Sequence, residues 1–147
     1  MNASEMLSRQ GRYLLQLGVV LFLLTSFEGF IIPALAAPNL GRSVHTLCAF
    51  TGVLFLIMGL TWPMLRLGAT ASRIAFWFLI YSALATIAGF VVAAFWGAGG
   101  SIMPIAAQGM RGSDLQEATI QVLMYPAAPT GIVAFGLILW GLRASPN

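Results

Sequence analysis

Lysine is absent from this 147-residue chain, histidine and cysteine occur once each, and only 7% of the residues are charged against 59% hydrophobic. Each scarcity closes a class of explanation. A soluble domain draws about a quarter of its residues from the charged types to cover its surface, so a chain this apolar must turn much of its surface to lipid. It reads as an integral membrane protein whose first partner is the lipid bilayer. The lone cysteine, Cys48, excludes an intrachain disulfide and any multi-cysteine metal site. One histidine and one cysteine also fall short of the three or four protein ligands of a tetrahedral zinc site. The chain has no internal repeat, no low-complexity tail and no glycine-rich phosphate loop. Its pI near 9.8 comes from arginine alone among the strong bases and reports membrane topology, not nucleic-acid binding.

What is present is four apolar runs of about the 20 residues that a membrane helix needs, at 13–35, 44–65, 74–96 and 118–142. They predict an all-α fold, a single membrane domain over 1–147 built as a bundle of four antiparallel transmembrane helices. The ALAA that closes the first run resembles a signal-peptide cleavage site. That run is longer than a signal peptide's apolar region, however, and Glu28 interrupts it late, so it reads as a membrane helix. Arg9, Arg12, Arg66, Arg73 and Arg143 fall on one side of the bundle, while Arg42 and Arg111 fall on the other, offset by Asp114 and Glu117. By the positive-inside rule both termini are cytoplasmic and the protein is a multi-pass protein of the cell's inner membrane. Ser43 is placed to cap the second helix, and SDLQE offers Ser113 with Gln116, or Asp114 with Glu117, as a capping box for the fourth. The glycine-rich loop 97–112 is expected to fold back over the outer face without forming helix.

Helices in lipid associate by close packing of small residues. Ser82, Thr86, Gly89 and Ala93 share one face of the third helix, and His45, Gly52 and Gly59 recur every seven residues on the second, with Cys48 and Ala49 beside them. The third-helix face reads as a tight interface. The second-helix stripe reads either as another or as a groove that admits a flat ligand, and both faces could serve a further copy of the chain. Glu28 lies about 16 residues into the first helix, roughly 24 Å from the inner surface, and His45, opening the second helix, stands near the same level. An intramembrane carboxylate is a functional candidate by default, although Glu28 could simply accept hydrogen bonds from a neighbouring helix end. His45 could be an interfacial hydrogen-bonded residue or a ligand. Haem needs only one axial nitrogen from the protein, because the porphyrin supplies the other four, so it is the metal cofactor this composition could hold. Tyr81, Tyr125, Thr51 and Thr86 are the remaining polar candidates, each of whose hydroxyls could instead bond back to its own helix.

Over nearly its whole length the sequence resembles the small four-helix membrane proteins of the hydroxylaminobenzene mutase family, whose more distant relative is styrene oxide isomerase. The resemblance is carried by GRYLLQLGVVLFLL and FIIP in the first helix, by His45 with Gly52 seven residues on, by LTWP and by Tyr81. It is most specific in FWGAG, MPIA, the glycines and QE of QGMRGSDLQE, and LWGLR. It implies a homotrimeric isomerase with haem b between neighbouring subunits, His45 as the axial ligand and ferric iron acting as a Lewis acid on a substrate oxygen. Cys48 and Gly52 would then lie beside the cofactor, and Glu28, Thr51, Tyr81 and Thr86 around the reacting groups. The substrate implied is a small aromatic oxygen compound, rearranged from arylhydroxylamine to aminophenol or from aryl epoxide to aldehyde. The chain departs from the family pattern at Thr51 and Thr86, where that pattern has asparagines; threonine offers no carboxamide to orient a substrate. Two other readings compete. One is a small proton-coupled drug transporter centred on Glu28, and the other a non-catalytic membrane haem protein, which a single axial histidine disfavours for simple electron transfer.

Overall fold

The computed structural model describes residues 3–143. Among these the regular elements are all helical: α1 (Ala3–Ile31), α2 (Pro38–Thr61), α3 (Ala69–Trp96), a short α4 (Pro104–Ala107), α5 (Asp114–Met124) and α6 (Ala127–Gly141), with 3-10 turns at Ile32–Ala34 and Trp62–Met64. Four spans, the last formed by α5 and α6 together, are long and apolar enough to cross a membrane. This is the all-α, four-span bundle that the apolar runs predict.

The helices begin earlier than the apolar runs do. Helical hydrogen bonding continues into the polar interface, where hydropathy no longer marks it. Thus α2 starts at Pro38, whose missing N–H is no loss in the first turn. Ser43 is therefore not a cap; it sits inside α2 and donates its hydroxyl to the Asn39 carbonyl at 3.2 Å. Of the two possible capping boxes, Ser113 with Gln116 forms, in both directions. The fourth span is not one continuous helix, because Pro126 cannot donate and α5 stops at Met124. Two hydroxyls add hydrogen bonds just after the break: Thr130 Oγ1 donates to Pro126 O, which also accepts from Thr130 N, and Ser82 Oγ, on α3, donates to Ala127 O, both hydroxyl bonds at 2.7 Å.

The α1–α2 hairpin closes on a seam of four glycines. A Cβ on Gly59 would stand 2.7 Å from Leu15 Cγ and 2.8 Å from Gly11 O, and one on Gly18 would stand 2.9 Å from Gly52 O. Helix α3 packs on the fourth span in the same manner, with Ser82 against Gly131 and Gly89 against Met124. Both small-residue faces are thus consumed inside one chain, which corrects the expectation that they would be left for a further copy. At the end of the bundle that holds the α2–α3 turn, Gln10 Oε1 accepts from Trp62 Nε1 at 3.0 Å and Ser72 Oγ at 2.6 Å. There too Arg66 N donates to Gly141 O at 2.8 Å. Arg9, Arg12, Arg66, Arg73 and Arg143 therefore gather at one end, and the Glu28–His45 level belongs to the other.

Candidate functional site

The chain leaves α1 through the 3-10 turn at Ile32–Ala34 and re-enters the bundle at Pro38, so the last turns of α1 face the first turns of α2. That reversal brings His45 Nδ1 to 3.2 Å from Glu28 Oε2, across 17 residues of sequence. His45 does not open its helix, as the apolar run suggests, but lies about two turns inside it. Glu28 is the more buried partner, its side chain 14% exposed against 44% for His45. The second carboxylate oxygen, Oε1, is buried without a hydrogen-bond partner among the described residues. Leaving such an acceptor unpaired costs about 1–3 kcal/mol, which marks the position as one where folding alone does not explain the side chain. The other imidazole nitrogen, Nε2, takes no hydrogen bond among the described residues.

On the Glu28 side of the pair a groove of about 310 Å³ runs between α1 and α3, floored by α2 at Val44 and Cys48 and walled by Phe27, Glu28, Val91 and Phe95; His45 does not line it. Its rim is open, since Leu24, Phe27 and Phe95 are exposed. Cys48 itself is buried. Gly52 lines no groove: a Cβ there would meet Gly18 O and Phe22 Cδ2 at 3.1 Å, so the stripe beneath His45 is filled by α1 and does not admit a flat ligand.

The other candidates are dispersed. Thr86 donates to Ser82 O, one turn back in its own helix, at 2.8 Å. Tyr81 is 44% exposed on the outside of α3, about 9 Å along the axis from Ile87, the nearest α3 residue lining the groove. Thr51 is half-buried on α2 and, like Tyr81 and Thr86, does not line the groove. Tyr125 is exposed. Within one chain the structure therefore joins Glu28 to His45, brings Cys48 to the same groove, and leaves the hydroxyls elsewhere. No group of three or more His, Cys, Asp or Glu side chains converges among the described residues, so Glu28 and His45 are a pair and not part of a larger ligand cage.

Glu117 is the residue that reading the sequence misses. Its carboxylate is 4% exposed; Oε1 accepts from the amides of Gly99 at 2.8 Å and Gly112 at 2.9 Å, and Oε2 from that of Ser101 at 3.0 Å. The loop between α3 and α5 is thereby pulled over the end of the bundle, where Ala98, Met103 and Ala107 pack on Ala37, Leu40 and Ile120. It does fold back, as expected, but contains the short helix α4, which corrects the expectation that the loop forms no helix. An acidic residue in a first turn is ordinary helix-end electrostatics; nothing in SDLQE says that this one points inward.

Residues 10–143 match the styrene oxide isomerase family. The hydroxylaminobenzene mutase HabB of Ectopseudomonas oleovorans is 43% identical over 135 residues, covering 92% of this chain and 82% of that protein. Hydroxylaminobenzene mutase HabA of the same organism is 36% identical over 130 residues, covering 88% of this chain and 96% of its own length. No solved structure matches the chain. A match across nearly all of the chain to isomerases speaks for an enzyme, against both the transporter reading and a non-catalytic haem protein. The chain is an enzyme, an isomerase belonging to the styrene oxide isomerase family.

Proposed function

We propose that this isomerase converts an arylhydroxylamine to an aminophenol, with haem b held by His45. The observation that carries the reading is the state of that imidazole: anchored through Nδ1, half-exposed, with no hydrogen bond at Nε2 among the described residues. One nitrogen donor is what haem asks of a protein and what the composition can supply. The substrate class is supported by the two relatives, both hydroxylaminobenzene mutases, which favours the arylhydroxylamine over the aryl epoxide. The rearrangement balances within one molecule. The N–O bond breaks, an aryl C–O bond forms, the ring carbon that receives oxygen releases its proton and the nitrogen ends as an amine, so no oxidant or reductant is consumed. Bound haem supplies a ferric Lewis acid that draws electron density from the oxygen of the breaking bond.

The chain's own part is to bind, place and shield. An apolar aromatic reaches the groove between α1 and α3 from the bilayer, past the exposed Leu24, Phe27 and Phe95, without crossing water. His45 is too exposed to enclose a cofactor alone, and Tyr81 is exposed and lines no part of the groove. Both facts support a site completed by a second copy, and the resemblance favours a trimer. Thr86 is committed to its own helix and is given no substrate role.

Purified in mild detergent with haem supplied, the protein should show a Soret band, run as a multimer, and turn hydroxylaminobenzene into aminophenol with no further addition. Turnover without haem sinks the cofactor, haem without turnover sinks the substrate, and a fully loaded monomer sinks the shared site. The arginine-rich end, and with it both termini, is assigned to the cytoplasmic side of the inner membrane. A reporter that works only in the cytoplasm, fused after Asn147, should be active; an inactive, exported reporter reverses the orientation.

A further inference from the structure

We propose that Glu28 is the positioning residue for His45, holding the imidazole as its Nδ1–H tautomer so that Nε2 is left a bare lone pair. In a neutral imidazole one nitrogen donates and the other accepts, and the hydrogen bond made at one decides the role of the other. A carboxylate oxygen only accepts, so at 3.2 Å from Glu28 Oε2 it is Nδ1 that carries the proton. Among the described residues nothing competes for either group: His45 makes no second hydrogen bond, Glu28 Oε1 has no partner, and the groove around the carboxylate is lined by apolar side chains and the buried thiol of Cys48.

The other acids are accounted for elsewhere. Glu117 holds the loop amides, Asp114 lies in the first turn of α5, and Glu5 lies in the first turn of α1, at the opposite end of the bundle. A charge-assisted hydrogen bond in apolar surroundings is among the stronger ones. Carboxylate partners of this kind set ring orientation and raise the donor strength of metal-bound histidines. Glu28 thus earns its place in the membrane by acting through His45 and not on the substrate.

The first arm of the test needs no cofactor. Because the chain has a single histidine, ring-15N histidine labelling reports one imidazole. The full-length apoprotein in detergent should show a protonated Nδ1 and a bare Nε2. Glu28→Gln, whose amide oxygen still accepts, should keep that state, and Glu28→Ala should lose it, with helical content unchanged. A wild type protonated at Nε2, or a Glu28→Ala protein indistinguishable from wild type, overturns the proposal.

The second arm rests on the haem reading of His45. Glu28→Ala should weaken haem binding by about 10–100-fold. Glu28→Gln should bind haem nearly as well as wild type but with a raised reduction potential, since a neutral amide pushes less electron density onto the ring. Unchanged affinity in the first variant and unchanged potential in the second overturn Glu28's role. If wild type binds no haem, the cofactor reading fails by itself, and the nitrogen signals still decide whether Glu28 holds the ring.

Discussion

His45→Ala should insert and fold as wild type does, yet show no Soret band when haem is supplied and no isomerase activity. The side chain is half-exposed and its one hydrogen bond among the described residues is to Glu28, so its removal costs the bundle little packing. It removes the only nitrogen donor of its kind in the chain, and no second histidine can substitute. Lewis-acid polarisation is worth several kcal/mol of barrier, and each 1.36 kcal/mol is tenfold in rate. Turnover should therefore fall by on the order of a thousandfold or more. Imidazole added to the variant should restore part of the band by filling the vacated position. A normal haem spectrum in His45→Ala would remove His45 from the site altogether, and a spectrum lost with activity retained would separate the haem from the chemistry.

The second large effect belongs to Glu117. Glu117→Ala leaves the amides of Gly99, Ser101 and Gly112 without their acceptor, at about 1–3 kcal/mol for each that stays buried. The loop should respond by opening, because water can then pair those amides, and opening strips Ala98, Met103 and Ala107 from the end of the bundle. Amide hydrogen exchange, read by mass spectrometry on peptides covering 97–113, should speed up by at least about tenfold, the equivalent of about 1.4 kcal/mol. Peptides from the α1–α2 seam should be unaffected. Glu117→Gln should fall between wild type and alanine: its one carbonyl oxygen can still accept, while its amide group confronts a backbone donor. Equal protection of the loop in wild type and Glu117→Ala would show that the apolar contacts alone hold it.

Composition and apolar run length were enough to read four membrane spans, because lipid imposes both on any helix that crosses it. The same rule explains where that reading stopped short. Hydropathy ends where lipid ends, so it puts the start of α2 at 44 with Ser43 as the cap, whereas the helix begins at Pro38 and Ser43 lies inside it. Counting residues along the axis also put Glu28 and His45 near one level, since rise per residue is a property of any α-helix. Which way each side chain points around its helix was another matter. In a soluble helix the polar face announces itself by period, whereas a helix that is apolar all round carries no such signal. Here direction was settled by contacts between helices. The glycines of α1 and α2 close on one another instead of leaving a groove at Gly52, and this seam turns Glu28 onto His45. The packing of α3 against the fourth span leaves Tyr81 outside and commits Thr86 to its own helix. Glu117 turns inward because three loop amides, each brought there by tertiary packing, converge on the one carboxylate that can pair them.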